Sequence, residues 1–117
     1  MNSENKEILD VIKDNISKNN YQISFNENRK DNIEFKRKYE LNEKDLKDIL
    51  LKIKEDDYYD TVSNYKTKYQ SEKLHIFMPT IEIENDEGEV KKVKIYTKFN
   101  IVKENHIVVV SLHEAKK

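Results

Sequence analysis

The sequence predicts an α+β domain of two layers, an antiparallel twisted sheet with N-terminal helices packed on one face. Three observations carry this reading. Helical periodicity is confined to the first half of the chain, and period-two alternation to the second. A chain of 117 residues is long enough for one modest core. No repeat or linker divides it, so residues 1–117 read as a single domain.

The elements follow in order. Residues 4–18 form a helix with Ser3 as N-cap, Glu4 and Glu7 in the first turn, and Ile8, Leu9, Ile12 and Ile16 as an apolar stripe. Asn19-Asn20 stops it. Tyr21–Phe25 alternates as a short strand. Residues 28–39 form a second helix with Ile33, Phe35 and Tyr39 inward. Asn42 caps a third, whose buried face is Leu46, Ile49, Leu50 and Ile53. Glu55–Lys73 has no clear period and reads as an irregular excursion holding Tyr58, Tyr59, Tyr65 and Tyr69, with room for one short strand. Leu74–Met78 is a strand. Pro79 removes a backbone donor and marks an edge, bulge or break. Thr80–Glu84 alternates with Ile81 and Ile83 inward, and Asp86-Glu87-Gly88 turns the chain with its only glycine.

The last two strands are the most legible. In Val93–Ile101, Val93, Ile95, Thr97, Phe99 and Ile101 share one face, and Lys92, Lys94, Tyr96, Lys98 and Asn100 the other. A turn at Glu104-Asn105 brings His106–His113 back alongside. It sets Ile101 opposite Val108, Phe99 opposite Val110, Thr97 opposite Leu112, Lys98 opposite Ser111 and Tyr96 opposite His113. Helices cover the apolar face. The other face is left free to gather Lys94, Tyr96, Lys98, Ser111 and His113.

Composition narrows the chemistry. Charged residues make up 38% of the chain, yet the net charge is only -1, so any nucleic-acid site must be a local basic patch. With no cysteine, disulfides, thiol catalysis and cysteine-based zinc sites are excluded. His75, His106 and His113 lack zinc-ligand spacing, and His106 falls with the core-side set, so no metal is expected. A single glycine rules out the glycine-rich phosphate loops, and no cofactor is implied. The polar N-terminus lacks a signal-peptide core and no apolar run reaches membrane-span length. A cytoplasmic protein is expected.

A phenol, an imidazole, a hydroxyl and lysines on one sheet face are the parts needed to cleave RNA without a metal. His113 is the natural acid or base, because imidazole titrates near neutrality. Tyr96 can hydrogen-bond or orient the scissile phosphate. Lys92, Lys94 and Lys98 can bind phosphate and offset the charge of the transition state. Ser111 can bind phosphate or ribose, and Arg29 and Lys30 can close the site from the N-terminal half. The plain alternative is a solvated strand face whose lysines guard against edge aggregation.

From Leu41 onward the chain resembles the MqsR family of bacterial toxins. The landmarks are Asp57-Tyr58-Tyr59 after an amphipathic helix, Leu74-His75-Ile76-Phe77-Met78-Pro79, Val93-Lys94-Ile95-Tyr96-Thr97-Lys98-Phe99, and Val108-Val109-Val110-Ser111-Leu112-His113-Glu114. The resemblance implies a RelE-like fold and an mRNA interferase of a type II toxin–antitoxin system. Its partners would be single-stranded mRNA, free or ribosome-bound, and a cognate antitoxin protein. It places Tyr96 and His113 at catalytic positions, with Lys98 matching the lysine two residues after the tyrosine. Two positions depart from the pattern. Asp60 stands where a lysine usually follows the aspartate–aromatic–aromatic landmark, and Leu74 where a glutamine precedes the proline-ended strand, unless the loop shifts to bring Gln70 there. The rival expectation is a non-catalytic RNA- or protein-binding module on the same fold, a phage or mobile-element accessory protein.

Overall fold

The structure is a computed structural model that describes residues 3–25, 29–63, 73–84, 87–102 and 106–115. Tyr65, Tyr69, Gln70, Asp86 and the expected turn at Glu104-Asn105 lie outside the described residues. Among the described residues, three α-helices, α1 (Ser3–Ser17), α2 (Lys30–Lys38) and α3 (Glu43–Leu51), accompany six strands. These are β1 (Tyr21–Ile23), β2 (Tyr58–Ser63), β3 (Lys73–Phe77), β4 (Thr80–Glu84), β5 (Val90–Val102) and β6 (His106–Glu114). The strand order is β1-β6-β5-β3-β2, with β4 also paired to β5. All pairings are antiparallel except β1 with β6. The α+β class is therefore as the sequence predicts, with one parallel edge strand added. Among the described residues no helix is long and apolar enough to cross a membrane.

The helices form where their apolar stripes allow one-sided burial. Leu9, Ile12 and Ile16 of α1, Phe35 of α2 and Leu46, Ile49 and Leu50 of α3 are buried in one cluster with Phe77, Ile95, Phe99, Ile107, Val109 and Leu112 of the sheet. Ser3 is the first helical residue of α1 rather than its cap. At α3 the expected cap is present and reciprocal: Asn42 Oδ1 accepts from Asp45 N–H at 2.8 Å, and Asp45 Oδ2 accepts from Asn42 N–H at 3.0 Å.

Both α1 and α2 end in Schellman motifs. Asn20 N–H reaches Asn15 O at 2.8 Å and Asn19 N–H reaches Ile16 O at 3.0 Å, with Asn19 at φ 65°. Leu41 N–H likewise reaches Lys36 O and Glu40 N–H reaches Arg37 O, with Glu40 at φ 50°. Asparagine tolerates the left-handed conformation, whereas glutamate gains nothing from it. Glu40→Gly is expected to stabilise the fold by roughly 0.5–1 kcal/mol, read as a raised urea midpoint at unchanged m-value.

Two bulges correct the sequence reading. The first lies in β2, the one strand among the described residues of a stretch read as irregular with room for one short strand. Tyr58 pairs with Phe77 and Asp60 with Ile76, so the phase shifts at Tyr59 and erases the alternation that marks a strand. The second separates the two halves of the β5–β6 ladder. Tyr96–His113, Thr97–Leu112 and Lys98–Ser111 pair as expected, but Phe99 then faces Val109 and Ile101 faces Ile107. Val110 is the extra residue. Ile107 and Val109 therefore enter the core, and Val108 and Val110 are half-buried on the way out. His106, opposite Val102, consequently shares the outer face rather than the core side.

The bulge is held by Asn32, 1% exposed, reaching over from α2. Its Nδ2 donates to Ser24 O at 2.8 Å and to Val110 O at 3.1 Å, and its Oδ1 accepts from Leu112 N–H at 2.8 Å. β1 ends at Ile23, and this amide takes up the β6 backbone groups that no strand beyond it satisfies. α2 and the end of β6 are thereby locked together, one residue from His113.

Candidate functional site

Tyr96 and His113 are cross-strand neighbours whose rings stack with centroids 5.3 Å apart at 17°. Alternation along β5 sets Lys92, Lys94 and Lys98 on the same face as Tyr96. Lys98 Nζ lies 5.7 Å from the Tyr96 ring centroid, within cation–π range. His113 Nδ1 lies 2.7 Å from the carbonyl oxygen of Glu114. A carbonyl only accepts, so Nδ1 carries the proton in this bond, and Nε2 is the nitrogen left for chemistry in the neutral ring. Stacking and the backbone bond together fix the imidazole's orientation.

The Tyr96 phenol has its pKa raised, first by burial and then by the charges of Tyr59 and Asp60. It is therefore protonated at neutral pH and acts as a hydrogen-bond donor or acid, not a base. Tyr59 and Asp60, at the β2 bulge, thus lie close enough for their charges to bear on it. Tyr59 is 65% exposed. Asp60, a departure from the family pattern, carries no local sequence sign of this proximity to Tyr96.

Ser111 contradicts its expected role. It is 5% exposed, buried beside the bulge opposite half-buried Lys98, and offers little surface to a ligand. The outer face is also less free than expected, because Leu74 and Ile76 are buried on it, outside the main core cluster. Lys98 is the cross-strand neighbour of Ile76, where its methylene stem can lie along apolar surface with the ammonium held outward.

Beyond His113 the surface drops into a cleft of about 480 Å³ between α2 and the end of β6, lined by Asp31, Glu34, Arg37, Lys38 and Glu114 among others. Arg29 precedes α2 and Lys30 opens it, whereas the cations that line this cleft are Arg37 and Lys38, from its last turn. The inward pair Phe35 and Tyr39 turns Lys38 toward the flank of the helix, whereas Arg37 falls opposite that pair and no local signal singles it out. Glu114 Oε1 accepts from Lys38 Nζ at 2.8 Å and from the Tyr39 hydroxyl at 2.6 Å. Among the described residues no group of three or more His, Asp or Glu side chains is placed to hold a metal ion.

A second polar chain lies away from this site. Tyr58 Oη is 2.8 Å from Thr61 Oγ1, which is 3.2 Å from His75 Nδ1. Burial lowers the His75 pKa, against a smaller opposing influence from Glu4. A depressed folded pKa means the unfolded chain takes the proton first as pH falls. The stability held by neutral His75 is therefore full above about pH 6.5, the unfolded value, and is lost below it. The melting temperature should fall between pH 7 and pH 5, and fall less steeply in His75→Gln. Parallel curves for the two proteins would refute this.

In comparison with known proteins, the chain has no significant match to any family model, curated protein or solved structure.

Proposed function

We propose that this chain is a metal-independent endoribonuclease and, more particularly, the mRNA interferase toxin of a type II toxin–antitoxin pair. The observation that supports it best is the Tyr96–His113 stack, with Nδ1 of His113 tied to the Glu114 carbonyl and Lys98 over the phenol. RNA cleavage without a metal needs a base for the 2′-OH, cationic support for the pentavalent phosphate and an acid for the 5′-oxygen. Nε2 of His113 serves as the base or acid. Tyr96, kept protonated, donates a hydrogen bond to the phosphate or leaving group. Lys98, with Lys94 and Lys92 along the same strand face, offsets phosphate charge. The products are a 2′,3′-cyclic phosphate or 3′-phosphate and a 5′-hydroxyl. In this reading the chain works in the cytoplasm on single-stranded mRNA, free or on the ribosome, and a cognate antitoxin blocks it by direct binding.

Induced expression in a bacterial host, with genome-wide mapping of RNA 5′ ends, tests this. The expected outcome is growth arrest with new 5′ ends at a shared short motif, both absent with His113→Ala. Normal growth and an unchanged map, with soluble protein confirmed, would sink the toxin reading.

One observation favours the rival, a non-catalytic RNA- or protein-binding module. The Asp60 carboxylate makes itself felt at the Tyr96 phenol and works against a phosphate held there. Binding of single-stranded RNA with no cleavage would select it.

A further inference from the structure

A second cleft, of about 310 Å³, adjoins the first and shares Lys38, Glu114 and Ala115 with it. It exists because β6 stops at Glu114, opposite Ile95, while β5 runs back to Val90. The peptide between Lys94 and Ile95 marks the edges: its carbonyl accepts from Ala115 N–H and its N–H donates to Pro79 O. β4 therefore covers one edge of β5, and the cleft opens at the other. Lys38, Lys91, Lys92 and Lys94 line it, against the single carboxylate of Glu114. That carboxylate is already held by Lys38 and Tyr39. Burial raises its pKa, but those two hydrogen bonds and the charges of Lys38 and Lys91 more than offset this, so it stays ionised. Lys91, Lys92 and Lys94 are exposed and form no ion pair among the described residues, even though Glu82 is the cross-strand neighbour of Lys92. Lys91, Lys92 and Lys94 thus line one hollow beside His113's cleft, where cations outnumber the single carboxylate. Such a hollow suits an anion, and its position suits one that continues past His113.

We propose that this lysine-lined cleft is a backbone-phosphate subsite, so that a single-stranded RNA cut at Tyr96–His113 lies across both clefts with a neighbouring phosphate among Lys91, Lys92 and Lys94. The proposal rests on the ribonuclease reading and adds to it two cations that reading does not use, Lys38 and Lys91. It also gives the strand a direction across the protein, from the β5–β6 face toward the end of α2.

The test is fluorescence anisotropy with a labelled single-stranded oligonucleotide carrying 2′-O-methyl groups throughout, which lacks the nucleophile and stays intact. Wild type, Lys91→Gln/Lys92→Gln and, as a charge-matched control outside both clefts, Lys44→Gln/Lys52→Gln are titrated at several salt concentrations, with melting curves to confirm folding. Each lost phosphate contact lowers the slope of log K against log salt by about 0.7 for a single strand. The lysine variant should therefore lose about that slope and weaken roughly tenfold at low salt, while Lys44→Gln/Lys52→Gln binds like wild type. Wild-type affinity and slope in the lysine variant would overturn the proposal, as would no binding by wild type or equal affinity for a duplex. Cleavage of unmodified RNA separates the two readings. Lysine-dependent binding without cleavage removes the ribonuclease and leaves the subsite, whereas cleavage with lysine-independent binding removes the subsite alone.

Discussion

His113→Ala is expected to cleave single-stranded RNA roughly 10²–10⁴-fold more slowly than wild type, the range seen when a positioned acid or base is removed. The imidazole is half-buried and at the end of β6, so its loss should leave the fold intact. Tyr96→Phe separates two contributions of its partner. The ring and the stack at 5.3 Å are kept, and only the hydroxyl is lost. Its rate should fall less than that of His113→Ala. Because the Tyr96 pKa is raised by burial, the pH–rate profile should show no limb from the phenol below its ordinary value near 10. If Tyr96→Phe cost more rate than His113→Ala, the assigned roles would be reversed.

Asn32→Leu is expected to destabilise the fold by about 3–4 kcal/mol, because it strips three partners from a buried site at once: Ser24 O, Val110 O and Leu112 N–H. That corresponds to a loss of roughly 10 °C or more in melting temperature. Asn32→Asp is the informative companion. It keeps an acceptor for Leu112 N–H but, when ionised, turns negative charge toward two carbonyl oxygens. Burial raises the folded pKa of the introduced carboxyl above its unfolded value. Its protonated form, favoured in the fold, can donate one hydrogen bond. The deficit of this variant relative to wild type should therefore shrink as pH falls from 7 toward 4. Both variants should also slow cleavage, since Leu112 precedes His113 and the bulge sets where that ring sits. A thermal and urea series on the two variants checks the prediction, and wild-type stability in Asn32→Leu would contradict it.

Much of this was legible in the sequence, for reasons that differ by element. α1 and α3 have stripes that leave one burial solution, and Asn42 with Asp45 announces its own cap. The pairing of Tyr96 with His113 was readable because Thr97, Leu112 and the lysines fix the phase at that end of the ladder. Toward the other end, Ile107-Val108-Val109-Val110 is apolar at every position, so burial cannot choose between phases. The bulge at Val110 is set instead by Asn32, 78 residues away in sequence. Asn32 lies three residues before Phe35 and seven before Tyr39, on the inward face of α2, but its polar side chain reads as solvent-facing. Ser111 takes the pairing the sequence predicts, opposite Lys98, but it is buried there, which a hydroxyl in the outward phase of a strand does not announce. β2 was obscured because a bulge at Tyr59 breaks its alternation. The clefts around Glu114 depend on where β6 stops relative to β5, a tertiary offset that no local pattern encodes.

The most direct test of the central claim is the chemistry of the cut. Purified protein is incubated with single-stranded RNA in excess chelator, beside the same RNA carrying a 2′-deoxy nucleotide on the 5′ side of the cleaved bond. The account predicts cleavage without divalent metal, products bearing a 2′,3′-cyclic phosphate or 3′-phosphate and a 5′-hydroxyl, and no cut at the deoxy position. Intact RNA, or products ending in 3′-hydroxyl and 5′-phosphate, would contradict it.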